Sequence, residues 1–417
     1  MTRSRENWHP VAPPLPAAAG KVLQVTTVEE LFDAADTVSP GDTIEIADGH
    51  YLLPTVFTIR TDDVCVRSAS GDRDAVILDG NHSDHGELFA FTECHRVSVA
   101  DLTIQNVLHN GFKLNANIGR SVRAIVLHNC VIRNVWQRGL KGVNGPEVEG
   151  DSELPMRPGK AGNPSVARQF VDDCVIRYCL FFNDRRKRLD DEPYEQKNPL
   201  NFDGNYIAAM DVMSARNWHV HDNVFVGIQG RNGGARGAIF FWQGSEAVRI
   251  ERNAIVDCDS GMWLGLSWTP EDTRRCVGYT VCDNTITRPG RTGILLSRHV
   301  DSHVHRNTVY DPVTDDERPA ATDIDDGGVL IPSAAAACRP LRVGIENDGL
   351  LIEDNLLISE QDLHVNQDAG RIEVRQNLWF QSASPDPFID SSKGDLRRTD
   401  AGEALTNSAR PPHTGAI

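Results

Sequence analysis

The sequence predicts an all-β solenoid, a chain wound into stacked coils of short parallel strands. Two observations carry that prediction. One is a short phrase that keeps returning, and the other is a glycine that opens a strand once per coil. The phrase reads VHDNVF at 220–225, IERNAI at 250–255, VCDNTI at 281–286, VHRNTV at 304–309, IEDNLL at 352–357 and VRQNLW at 374–379. VLHNCV at 126–131, FVDDCV at 170–175 and VADLTI at 99–104 are more divergent copies. Each full copy has an apolar residue three before the Asn and another two after it. An offset of five cannot stay on one face of a straight strand, where side chains alternate. The chain must bend between them, and Asn tolerates a tight bend. Each copy therefore reads as strand, turn at the Asn, strand.

The Asn column is Leu102, Asn129, Asp173, Asn223, Asn253, Asn284, Asn307, Asn355 and Asn377, with spacings from 22 (Asn355 to Asn377) to 50 (Asp173 to Asn223). Such spacings suit one solenoid coil, with loops inserted where they are long. The glycine mark recurs at Gly111, Gly139, Gly237, Gly261 and Gly293, each followed by a strand. Each coil then holds about three short strands, and stacking about ten coils makes parallel sheets. A sandwich of antiparallel strands would instead need hairpin turns such as Asn-Gly between neighbouring phrases, and the sequence has none there.

The ends carry further marks. LFDAADTVSPGDTIEIADGHYLL at 31–53 reads as an amphipathic helix, a Pro-Gly-Asp turn and a first strand. DPFID at 386–390, Asp395-Leu396 and Thr414-Gly415-Ala416 lie near the other end. With these segments, nearly the whole chain resembles the right-handed parallel β-helix proteins of the pectin lyase-like superfamily. Its entry is similar to that of chondroitinase B and the related alginate lyases. The resemblance implies a single-stranded right-handed parallel β-helix with an N-terminal capping helix and long loop insertions. The expected organisation is a Pro/Ala-rich arm at 1–20, the β-helix at 21–380 and a closing segment at 381–417.

Composition narrows the function. The chain has 417 residues, a net charge of −17 and nine cysteines. The acidic balance argues against nucleic acid as a partner. No apolar run is long enough to span a membrane. The odd cysteine count and the lack of a signal-like N-terminus predict reduced thiols and a cytoplasmic location, or a secreted or periplasmic one if a leader has been removed. The run Arg185-Arg186-Lys187-Arg188, followed by acids, reads as a solvated loop. Oligomeric state is not legible.

A β-helix fills its interior with stacked side chains, so chemistry must sit on an outer face between loops. Long insertions stand at 144–168, 183–203 and 312–347, and the first two would wall the strands that begin at Gly111, Gly139 and Gly204. Lys113 and Lys141 both stand two residues after a coil glycine and should stack about 4.8 Å apart, pointing outward. Two adjacent ammonium groups lower the pKa of at least one, which makes a lysine base usable. Arg138, His109 and Asn110 lie beside them. Further along, Asn205, Tyr206, Arg236, Phe240, Trp242, Trp263, Trp268 and His299 are candidates for holding a sugar, with Phe240 read as core. Asp203, Asp211, Asp257 and Asp259 supply carboxylates, and Asp211 with Asp259 could serve hydrolysis. The pairs His219/His221 and His303/His305 sit three coils, about 14 Å, apart and cannot share one zinc.

These residues and the resemblance suggest a carbohydrate-active enzyme, foremost a lyase acting on a uronic-acid-containing glycan or oligosaccharide by β-elimination. Lys141 would be the base, with Arg138 and Lys113 on the carboxylate. Ca²⁺ is the one cofactor in view: two of these carboxylates on adjacent coils could hold it, and the resemblance also brings it in, although no closely spaced acidic cluster precedes either lysine. DIDDGG at 323–328 lacks the spacing of a calcium loop. A glycoside hydrolase using Asp211 and Asp259, and a non-catalytic glycan-binding solenoid, are the alternatives.

Overall fold

The computed structural model describes residues 8–83, 86–116, 121–143, 170–187, 205–231, 233–242, 244–265, 275–313, 322–324, 330–332, 338–381, 386–391 and 395–409. The 144–168 insertion, Arg188, Asp203, Trp268 and the Thr414-Gly415-Ala416 end lie outside them. Three long sheets of 14, 10 and 11 strands run the length of the molecule. Every strand pairing within them is parallel, and successive coils add successive strands. The chain is thus a parallel β-helix of the expected right-handed crossover type. Valines, isoleucines, leucines and phenylalanines from all three sheets meet in one continuous core.

The entry helix Val28–Thr37 starts at a capping box. Thr27 accepts from the Glu30 backbone N–H at 3.1 Å, and the Glu30 carboxylate accepts in return from Thr27. Leu31 and Ala34 turn into the first coil and close its open end. At the other end, among the described residues, the last coil is only partly covered. Val365, Val374 and Trp379 there are about 40% exposed. The described part of the closing segment lies instead along the flank of the 11-stranded sheet, with Phe388 against Tyr310.

The repeated phrase builds a ladder of amides. Asn223 Nδ2 donates to Asn253 Oδ1 at 2.9 Å, Asn253 to Asn284 at 2.9 Å, Asn284 to Asn307 at 2.9 Å, Asn307 to Asn355 at 3.0 Å and Asn355 to Asn377 at 2.8 Å. Each Asn Oδ1 also accepts the backbone N–H of the Asn before it. The expectation that Asn itself takes the bend needs correcting. The residue before it does, with positive φ at Asp222, Arg252, Asp283, Arg306, Asp354 and Gln376. The early copies were also placed wrongly. Asn129 is a bend residue with φ of 53°, so Cys130 holds the ladder place in its coil. In the next coil the equivalent segment is Val175 to Leu180, because His128 pairs with Arg177 and Val131 with Leu180. Cys179, not Asp173, occupies that ladder place, and its N–H donates to Asn223 Oδ1 at 2.9 Å.

The coil glycines answer a close approach of backbones. A Cβ on Gly139 would lie 2.8 Å from the Ala209 carbonyl oxygen, and one on Gly111 would lie 2.6 Å from that of Gly139. Real side chains do not fit there. The glycine lets residues on both sides of it, such as Arg138 and Lys141, serve the same outer face.

Candidate functional site

The 10-stranded sheet carries the candidate residues. Register puts Asn110 beside Arg138, and Lys113 beside Lys141, which is followed by Asp211, Phe240 and Trp263 on the next three strands. Phe112, Leu140, Met210 and Ile239 alternate with this row and fill the core. The lysine pair expected from glycine spacing therefore does stack on neighbouring strands.

Asp211 is the hub of the site. Its side chain is 1% exposed, and Lys141 Nζ lies 2.8 Å from Oδ1. Arg138 Nε donates to Oδ2 at 3.0 Å and Trp242 Nε1 to Oδ1 at 2.9 Å. Burial alone would raise the Asp211 carboxyl, but the charges of Lys141 and Arg138 overturn that and hold it well below the usual carboxylate range. Asp211 is therefore a fixed anion that positions two cations, which departs from its expected role as a catalytic acid.

The lysines are perturbed in the expected direction, though for a different leading reason. Burial pushes Lys141 down to about 8, with Arg138 adding to the fall and Asp211 opposing it. Burial also lowers Lys113, and Lys141 and Arg138 add to that, while Glu87 opposes it. Like-charge repulsion is thus real but secondary to desolvation. Lys113 Nζ stands 3.2 Å from Glu87 Oε1, and Asn110 Nδ2 donates to the same oxygen at 3.3 Å. Glu87 is a site residue that sequence reasoning missed, and so is Gln137, whose amide oxygen accepts from Arg138.

An aromatic layer supports the cations. The Arg138 guanidinium lies 3.5 Å from the Tyr206 ring centroid, and that of Arg236 lies 4.5 Å from the same ring. Tyr206 is thus a shared platform for two arginines. Phe240, Trp242 and Trp263 cluster beyond it, with Phe240 and Trp242 stacked at 5.2 Å. Phe240 was expected in the core. Its register with Asp211 and Trp263 puts it on the outer face instead.

Other candidates take structural places. Asp259 Oδ2 accepts from the N–H groups of Gly230 and Ala235 at 2.7 and 3.1 Å, and Arg186 donates to Oδ1 at 3.0 Å. Burial raises its pKa. Asp259 stands two strands and four residues away from the Asp211 position, roughly 16 Å between backbones, too far for a glycosidase carboxylate pair. Asn205 packs against Gly230 and Gly234. His299 is wholly buried. Its ring bonds the Leu264 carbonyl at 3.0 Å and Ser302 Oγ at 3.1 Å, and burial pushes it down to about 4. It belongs to the interior, not to a sugar site. The basic run is not simply solvated either. Lys187 is buried, with Nζ donating to the Val135 carbonyl at 3.0 Å.

Among the described residues no three His, Cys, Asp or Glu side chains converge as metal ligands. The two carboxylates at the site, Asp211 and Glu87, are each already engaged by cations. Among the described residues these two carboxylates alone do not supply the six to eight oxygens that Ca²⁺ takes.

Neither protein-family models nor curated protein sequences give a match to the chain. Solved structures do. A lacto-N-biosidase of glycoside hydrolase family 136 from Eubacterium ramulus aligns at a TM-score of 0.51 and 10% identity, over 87% of this chain and 68% of that one. An alginate lyase from Paenibacillus sp. str. FPU-7 aligns at 0.47 and 12%, over 87% and 96%. A pectate lyase, Pel9A, aligns at 0.42 and 12%, over 92% and 86%. At these identities the likeness is one of fold.

Proposed function

We propose that the protein is a carbohydrate-active enzyme that cleaves a uronic-acid-containing glycan by β-elimination. The observation that carries this reading is Lys141, a buried lysine lowered to about 8 and set beside the Arg138 guanidinium on one outer face. A base of that kind is partly neutral near neutral pH. In the proposed step the Lys141 amine takes the C5 proton. The C–H electrons form the C4–C5 double bond, and the C4–O4 bond breaks. The departing O4 takes a proton from the new Lys141 ammonium or from water. Arg138 and Lys113 neutralise the uronate carboxylate, which carries the developing charge. Asp211 holds Lys141 and Arg138 in place, and Tyr206 holds Arg138 from its ring face.

The hydrolase alternative is weaker. Asp211 is too strongly held as an anion to give up a proton, and Asp259 is far from it. A binding solenoid without catalysis remains the contrasting outcome of the test. Incubation with polygalacturonate, alginate and chondroitin should produce the ultraviolet absorbance of a conjugated uronate with at least one of them. New reducing ends without that absorbance would sink the elimination reading.

A further inference from the structure

The two ends of the solenoid are finished differently. The helix Val28–Thr37 closes the first coil, with Leu31 and Ala34 buried in the core. The last coil is built from the strands His364–Val365, Gly370–Arg375 and Leu378–Phe380, one in each long sheet. Among the described residues each of the three pairs with a strand on one side only. Three core columns run out into this coil. Leu296 and Val343 lead to Val365, Val304 and Ile352 lead to Val374, and Val309 and Leu357 lead to Trp379. The six earlier members are buried, whereas Val365, Val374 and Trp379 are 39%, 40% and 42% exposed. The end of the hydrophobic core itself meets solvent there, beside three strand edges.

Proteins often blunt such edges with charge. Here the charges alternate in sign. Strand Gly370–Arg375 presents Arg371, Glu373 and Arg375 outward, each with its side chain more than half exposed. Ile372 and Val374 lie between them in register with Leu350 and Ile352 of the core. A row of one sign would repel a copy of itself. An Arg-x-Glu-x-Arg row is self-complementary when laid antiparallel on its own copy. About a two-fold axis through Val374, Glu373 lies opposite Arg375 in both directions and Val374 meets Val374. Arg375 already bonds Glu353 and Glu373 of its own chain, and Arg371 bonds Asp348. A guanidinium has five donors, so each arginine can take a further carboxylate without giving up the first.

We propose that this open end is a homodimer interface, where two copies of the chain join tail to tail with strand Gly370–Arg375 against its own copy. A two-fold axis perpendicular to the solenoid makes the facing strands antiparallel, as the charge row requires. The N-terminal end, closed by its helix, offers no matching surface, so association stops at two copies and does not grow into a filament. The last coil spans a spacing of 22 residues, from Asn355 to Asn377. A standard protein interface uses about 20–30 residues a side. The interface includes no residue of the Lys141 site, so it stands independently of the elimination reading.

Sedimentation equilibrium of the full chain tests the proposal. The parent should show a concentration-dependent mass that approaches twice that of the 46.0 kDa chain. Val374→Asp sets two carboxylates face to face on the axis and should leave a monomer. That change touches a core column, so Glu373→Arg serves as a second variant. It alters an exposed side chain and should weaken the dimer about tenfold or more. Arg371→Glu combined with Arg375→Glu should do the same. Mixing this double variant with the Glu373→Arg chain should restore a two-chain particle, because an all-Arg row then faces an all-Glu row. A parent that stays monomeric at every concentration would overturn the interface and leave the open end to another segment of the same chain. A dimer that Val374→Asp and the charge variants leave intact, or a mixture that stays monomeric, would overturn it as well.

Discussion

Two columns of polar side chains run along this solenoid, and they behave in opposite ways. In the turn column, each Asn from Asn223 to Asn355 gives a hydrogen bond to the next, and each from Asn253 to Asn377 receives one from the last. An amide carries both donor and acceptor, so identical residues satisfy one another at the coil spacing. In the site column, Lys113, Lys141 and Asp211 occupy equivalent places with unlike charges. Ammonium groups cannot satisfy one another. They need Glu87 and Asp211, and burial leaves both lysines perturbed. Where a column repeats one self-complementary residue, it builds the fold. Where it breaks the repeat with charge, it stores chemistry.

The comparison can be broken most forcefully at Asp211. Asp211→Ala leaves Lys141 and Arg138 buried without their counter-ion, and should cost about 3–5 kcal/mol of stability in chemical denaturation. A loss within experimental error would show that the cations are not held as described. Next comes Lys141→Ala, which should lower kcat by about a hundredfold or more; it also removes one of the two cations buried with Asp211, so some loss of melting temperature is expected, smaller than that of Asp211→Ala because Arg138 still pairs the carboxylate. Asn253→Leu should cost about 1–3 kcal/mol, since it breaks the amide ladder on both sides. It should leave the pH dependence of activity untouched, because the ladder lies on another part of the coil.

The subtlest tests move the pH profile. Lys141 must be neutral to act, so activity should rise with pH through about 8. Lys113→Ala removes a neighbouring positive charge and leaves Glu87 uncompensated. Both changes favour the protonated form of Lys141, so the midpoint should move up. Glu87→Gln leaves Lys113 without its anion and should move the midpoint down. Shifts in the same direction for both variants would contradict the electrostatic account.

The ladder was legible in sequence because its copies share one letter at one place. The reading failed where Cys130 and Cys179 replace that letter. Asp173 was taken instead, although strand register gives its coil a different ladder residue. Lys113, Lys141 and Arg138 were legible through their fixed offset from Gly111 and Gly139. Glu87 was not, because its strand ELFAFT has no internal glycine to set the phase. The bond between Trp242 and Asp211 joins residues 31 apart and exists only through strand register. His299 shows the converse limit. In sequence, a histidine bonded to the interior Leu264 carbonyl looks like any other.

The most direct measurement is the pH dependence of ultraviolet absorbance released from a uronate glycan by the unsubstituted protein, with Lys141→Ala run beside it. The account predicts absorbance that climbs with pH through about 8 and nearly vanishes in the variant. Undiminished absorbance from Lys141→Ala, or a profile that falls as pH rises through that range, would contradict it.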